Sequence, residues 1–151
     1  MTDRDSGSIA SGKYVILRAL GRGGMGAVYL ARDLRDGRKI ALKLMLPQTQ
    51  VDEAAQEIFL REIEVVAGLN HPNIVTIHAV EEADGVPFFT MEYVEGTTLA
   101  KNIPPGGMGP QRFLELAIPI TDAVGAAHES GVVHRDLKPA NIKIGPSGEV
   151  K

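Results

Sequence analysis

The sequence has no cysteine, which excludes a disulfide framework and any thiolate metal site. It has no apolar run of about 18 residues, so no segment reads as a membrane-spanning helix. The nearest stretch, residues 113–128, is interrupted by Glu115, Pro119 and Asp122. Neither sign of charge dominates: 16 Lys and Arg stand against 19 Asp and Glu, a formal net charge of −3. That balance points to no nucleic acid and no anionic membrane as a partner. The opening residues, "MTDRDSGSIASGK", lack the apolar core of a signal peptide, and residues 1–12 read as a mobile lead-in. No segment repeats another.

What is present is a chain of 151 residues, 44% hydrophobic and 23% charged, enough for a globular domain with a core. Residues 14–20 are rich in β-formers and run into a dense glycine cluster, after which residues 27–31 continue as strand. A turn follows at Asp36-Gly37. Residues 39–46 predict a third strand, with Ile40, Leu42, Leu44 and Leu46 on one face and Ala41, Lys43 and Met45 on the other. Residues 52–69 have helical spacing. Residues 74–80 and 87–93 predict two more strands, joined through "EEADG". "VEGTTLAKNIPPGGMGP" is a Gly/Pro-rich connection, and the composition shift over residues 95–109 marks a boundary between two parts.

Pro110 can open a helix running to about Ser130. Its apolar stripe is Phe113, Ala117, Ile120, Val124 and Ala127, and Pro119 predicts a kink or break. The closing "GVVHRDLKPANIKIGPSGEVK" reads as strand, loop, strand, turn, and a strand just beginning.

Three features carry chemistry. In "LGRGGMGAVYLARD", Gly21-x-Gly23-x-x-Gly26 opens a strand rather than a helix, which disfavours a dinucleotide fold. Two readings stand: a loop whose bare backbone cradles phosphate, or a plain glycine hairpin. Lys43 lies mid-strand among apolar neighbours; it either snorkels from an edge or faces inward and needs an anion. On a helical wheel Glu62 stands amid Ala55, Ile58, Phe59, Val65, Val66 and Leu69, all within about 60°. It either reaches solvent from a ragged stripe or pairs with Lys43. Finally, "VVHRDLKPAN" gathers a possible base (Asp136), a cation (Lys138) and an oxygen ligand for a hard metal (Asn141), or else is a solvated polar turn.

Taken together, "GRGGMGAV", "IALK" and "HRDLKPAN" resemble the Gly-rich loop, the strand-borne lysine and the catalytic loop of eukaryotic-type serine/threonine protein kinases, especially bacterial ones. The resemblance covers residues 14 to 151. It implies an α+β protein-kinase-like fold: a five-stranded antiparallel N-lobe with one helix over residues 13–94, a hinge and linker over 95–109, and the start of a mainly helical C-lobe over 110–151. It also implies ATP and Mg²⁺ as cofactors and a protein Ser/Thr hydroxyl as substrate, in the cytoplasm. In many bacterial relatives a transmembrane helix follows the kinase domain.

By that resemblance Leu20 borders the nucleotide, and Gly21, Arg22, Gly23, Gly24, Met25, Gly26, Ala27 and Val28 cover its phosphates. Lys43 contacts the α- and β-phosphates and pairs with Glu62. Val28 and Ala41 sandwich adenine, Met91 is the gatekeeper, the backbone of Glu92 and Val94 bonds the adenine edge, and Thr98 lies near the ribose. Asp136 orients the substrate hydroxyl and accepts its proton, Lys138 neutralises the transferring phosphoryl, and Asn141 binds Mg²⁺. Arg135 receives a phosphorylated activation loop. Val66, Ile77 and His134 match a hydrophobic spine, and His71 falls in the loop after the helix.

Two local departures stand out. "NIKI" puts Lys143 where the family usually has an apolar residue, which one exposed strand face would explain, and Pro119 is unusual within its helix. The sequence also stops at "EVK", where the family continues into Asp-Phe-Gly. Without that aspartate, metal neutralisation is incomplete, and the helix of residues 110–130 is expected to expose its stripe, with poor solubility or association as the result. The expected function is ATP-dependent phosphorylation of proteins as part of a complete kinase domain. The alternatives are a truncated, non-catalytic nucleotide-binding or interaction module, and a small-molecule phosphotransferase.

Overall fold

A computed structural model describes residues 7–9, 12–23, 26–45 and 53–151; for Ser8, Ile9, Gly23, Ala55, Phe59 and Glu62 the backbone alone is described. The expectations for Gly24, Met25 and Leu46 and for the Glu62 side chain therefore lie outside the described residues. The chain forms two compact units, Met1–Ala67 with Ile77–Tyr93, and Gly68–Thr76 with Val94–Lys151.

In the first unit β1 (Ser8–Ile9), β2 (Tyr14–Gly23), β3 (Gly26–Asp33), β4 (Lys39–Met45), β5 (Ile77–Ala83) and β6 (Val86–Glu92) form an antiparallel sheet ordered β1-β2-β3-β4-β6-β5. Alternation along these strands buries Tyr14, Ile16, Ala31, Ile40, Leu42 and Phe88 together on one face. Tyr14 meets Phe88 edge-on, centroids 6.0 Å apart. A polar clasp covers this core. The Arg35 guanidinium lies 5.4 Å from the Tyr14 ring centre and donates to Asp33 Oδ1 at 3.0 Å and Oδ2 at 2.6 Å. The Tyr14 hydroxyl donates to Glu81 at 2.6 Å. Burial, reinforced by Glu81, pushes the Tyr14 pKa up to about 12.

The turn between β5 and β6 is set locally. Asp84 and Gly85 both have positive φ, 53° and 76°, the two-residue geometry that matches strand twist and suits Asp-Gly. β5 begins at Ile77, three positions later than the expected residue 74. There the chain is still turning: the Asn73 N–H donates to His71 Nδ1 at 3.0 Å, and the Ile74 N–H to the His71 carbonyl at 3.1 Å.

α1 (Glu53–Ala67) packs against β5. Its buried side differs from the expected stripe. Ile63 is 7% exposed, whereas Ile58 is 60% exposed and Val65 is also exposed. Val66 and Leu69 of that stripe are half-buried, and Ile63 lies about 100° from Glu62 on the wheel. A wheel read alone does not know which side β5 occupies.

In the second unit α2 (Leu99–Asn102), α3 (Pro110–Glu129), a 3₁₀ turn (Pro139–Asn141) and a two-stranded sheet of β7 (Thr97–Thr98) and β8 (Lys143–Ile144) surround a second core of Leu99, Leu116, Ile142, Ile144 and Val150. α2 and β7 lie inside what reads as a plain connection. No strand forms over Gly131–His134, which is irregular instead. α3 runs unbroken through Pro119 and ends as expected near Ser130. The Gly131 N–H bonds the His128 carbonyl and the Val132 N–H the Ala127 carbonyl, a glycine-dependent helix stop. Leu116 and Ala123 are its buried residues, with Ala117, Ile120, Val124 and Ala127 half-buried, but Phe113 is 56% exposed. Among the described residues, no helix is long and apolar enough to cross a membrane.

Candidate active site

The first unit presents its site residues on one sheet face. Cross-strand neighbours share a face. Val28 pairs with Lys43 and Leu30 with Ala41, while Lys43 pairs with Phe89 and Ala41 with Met91. Val28, Ala41, Lys43 and Met91 therefore stand opposite the Tyr14–Phe88 core face. Glu92 ends β6, paired with Ile40.

β2 and β3 run through the glycine motif as an antiparallel pair, Gly21 facing Val28, Arg22 facing Ala27 and Gly23 facing Gly26. Register shifts at Leu17 and Leu20 insert two extra residues in β2, the second just before the glycines. The glycines serve different ends. At Gly21 an added Cβ would meet nothing within 4 Å, so this position keeps open space. At Gly26 it would overlap the Leu44 carbonyl oxygen, so this glycine is required by β4 itself.

Lys43 is half-buried, and burial holds its ammonium below the ordinary lysine range. Glu62 lies on α1, but its side chain is outside the described residues.

In the second unit Asp136, Lys138 and Asn141 come together. Lys138 Nζ is 3.1 Å from Asp136 Oδ2. The Asn141 side-chain amide donates to the Asp136 carbonyl at 2.8 Å and to its Oδ2 at 3.1 Å. The bond from Lys138, then that from Asn141, holds the Asp136 carboxyl below the usual carboxylate range. The backbone contributes as well. Arg135 has φ +64°, a left-handed conformation that costs a non-glycine residue about 1–2 kcal/mol. The Asp136 N–H then donates to His134 Nδ1 at 3.2 Å. With its amide nitrogen committed to Asp136, Asn141 leaves Oδ1 as a ligand for a hard divalent cation. Among the described residues, no group of three or more His, Asp or Glu is clustered for a metal.

Two contacts escape sequence inspection. Lys143 is half-buried, not on an open face, and its Nζ lies 3.5 Å from the Val94 carbonyl. His71 Nε2 lies 3.0 Å from Asp122 Oδ2 on α3. Both join residues about 50 positions apart, and no local pattern signals them. Val94 is buried, and Thr98 stands just before α2, half-buried.

A sequence profile described as protein kinase domain matches residues 14–151. The serine/threonine-protein kinase PrkC of Bacillus subtilis is 40% identical over 146 residues, covering 96% of this chain and 22% of PrkC. PknB of Mycobacterium tuberculosis, also named a serine/threonine-protein kinase, is 39% identical over 146 residues, covering 93% of this chain and 23% of PknB. The crystal structure of a cysteine-to-alanine mutant of the Mycobacterium tuberculosis PknI kinase domain matches with a TM-score of 0.83 at 31% identity, over 99% of this chain and 61% of that one. The chain thus spans less than a quarter of the length of these two curated relatives. Sequence match and fold agree over nearly the whole chain, which therefore belongs to the protein kinase domain family.

Proposed function

We propose that this chain carries the nucleotide-binding and catalytic-loop residues of a kinase that transfers the γ-phosphoryl group of ATP to Ser or Thr hydroxyls of proteins, in the cytoplasm where ATP is available. The hydrogen-bonded set of Asp136, Lys138 and Asn141 carries this reading. In the reaction the substrate oxygen bonds to the γ-phosphorus, the bond to the β-phosphate oxygen breaks, and ADP leaves. Asp136 stays ionised at neutral pH, orients the hydroxyl and takes its proton. Lys138, next to it, neutralises charge on the moving phosphoryl group.

The first unit serves the nucleotide. Val28 and Ala41 contact the base, Met91 limits its depth, and Glu92 and Val94 bond its edge. Gly21 leaves room for phosphate, and Lys43, its charge held in place by Glu62, binds the α- and β-phosphates. Mg²⁺ held through Asn141 Oδ1 supplies charge neutralisation when bound. Lys138, four residues after the histidine that opens "HRDLKPAN", favours protein over small-molecule substrates within the family pattern.

The test incubates a complete kinase domain containing these 151 residues with labelled ATP, Mg²⁺ and a generic Ser/Thr protein substrate. Transfer to protein hydroxyls is expected, and Asp136→Asn should lower it by about 10²–10⁴-fold. Binding of Mg²⁺-ADP without any transfer would instead identify a nucleotide-binding module.

A further inference from the structure

We infer that Gly96 is a positioning residue for Asn141, the metal-binding end of the catalytic loop; the inference rests on the phosphotransfer reading above. Gly96 has φ +133°, a conformation that L side chains rarely adopt. Space excludes a side chain as firmly. A Cβ at residue 96 would overlap the Ile144 carbonyl oxygen and stand 2.9 Å from the Ile144 carbonyl carbon and 3.0 Å from the Gly145 Cα. All of these are backbone atoms, so no rotamer change relieves the overlap.

This close approach begins a continuous seam. Thr97 pairs with Ile144 and Thr98 with Lys143. The Leu99 N–H donates to the Ile142 carbonyl at 2.8 Å. Leu99, Ile142 and Ile144 then bury their side chains together. The seam ends at the residue next to Asn141, whose side-chain amide holds Asp136. Its other end begins beside Val94 and includes Thr98, the two nucleotide contacts of this unit in the proposed reaction. Gly96 touches no ligand. A side chain there would part residues 97–99 from 142–144 and shift Asn141 relative to the nucleotide contacts. Phosphoryl transfer depends on positioning, so a displacement of a fraction of an ångström is felt first at the metal.

The test compares the full chain with Gly96→Ala and with Gly106→Ala, a glycine at ordinary φ with nothing within 4 Å of an added Cβ. Calorimetry measures ADP binding without metal, then Mn²⁺ binding at saturating ADP. Gly96→Ala should weaken Mn²⁺ binding about tenfold and metal-free ADP binding by less than about threefold, with Gly106→Ala matching the parent. Equal Mn²⁺ affinity in Gly96→Ala, or an equal loss for Mn²⁺ and ADP, overturns the inference. A second measurement needs no variant: amide exchange at Leu99 in the unmodified chain should slow about tenfold when Mn²⁺ joins the ADP complex. Unchanged exchange there also overturns it. If the unmodified chain binds neither ADP nor Mn²⁺, the phosphotransfer reading itself fails, and the role of Gly96 fails with it.

Discussion

Lys43 illustrates how one residue can serve a reaction at the expense of the fold. It sits in β4 opposite Val28 and Phe89, half out of water, and burial depresses its pKa. The folded chain therefore binds this proton less tightly than the unfolded chain does. The penalty is present at neutral pH and is relieved as pH rises toward the ordinary lysine value of 10.5. Lys43→Met should lower phosphotransfer by about 10²–10³-fold, since it removes a preorganised charge. The burial penalty of the ammonium goes with it, so the change in melting temperature at pH 7 should shrink as pH climbs toward 10.5. Calorimetric melts over pH 7 to about 10 would check the sign. A fall in melting temperature at pH 7 would show that the ammonium is stabilised on balance.

At the scale of the element, strands and helices differ in how much of them can be read in advance. The face of β4 follows from strict alternation, which is why Ala41 and Lys43 were expected on one side and lie there. The helices obey the same logic with a wider margin. On α3 the stripe expected from Phe113 through Ala127 is centred instead on Leu116 and Ala123, and Leu116 packs with Leu99, Ile142 and Ile144. The two residues make a paired prediction. Leu116→Ala, at 3% exposure, should cost about 2–4 kcal/mol. Phe113→Ser should stay within about 0.5 kcal/mol. Urea denaturation of both variants measures the difference, and equal costs would mean the stripe is misplaced.

For the molecule as a whole, stability in acid follows from the carboxylates. Asp33, Asp36, Glu81 and Asp136 are all held below their ordinary values. Asp33 is the most confined, through its bonds from Arg35 first of all. A lowered folded-state pKa contributes stability above the unfolded value, here 3.8, and that stability is lost as pH falls through the folded value. The melting temperature should therefore drop steeply below about pH 4, and Asp33→Asn should flatten that drop while lowering the plateau near neutrality. Thermal melts from about pH 2 to 7 test both halves. An unchanged acid limb would mean that the Arg35–Asp33–Tyr14 clasp does not govern the opening of the first unit.

The sequence by itself determined whatever depends on near neighbours. The period-two strands, the Asp84-Gly85 turn, the proline-opened and glycine-stopped α3 and the three motifs are all local patterns, because dihedral preference and alternation act over a few residues. Family membership followed from the motifs and their order. Only the tertiary structure decided which helix faces are covered, that Gly26 is required by Leu44, that Lys143 lies beneath Val94 and that Gly96 closes on Ile144. Each depends on a surface supplied from elsewhere in the chain, and a pattern within one segment carries no record of the segment packed against it.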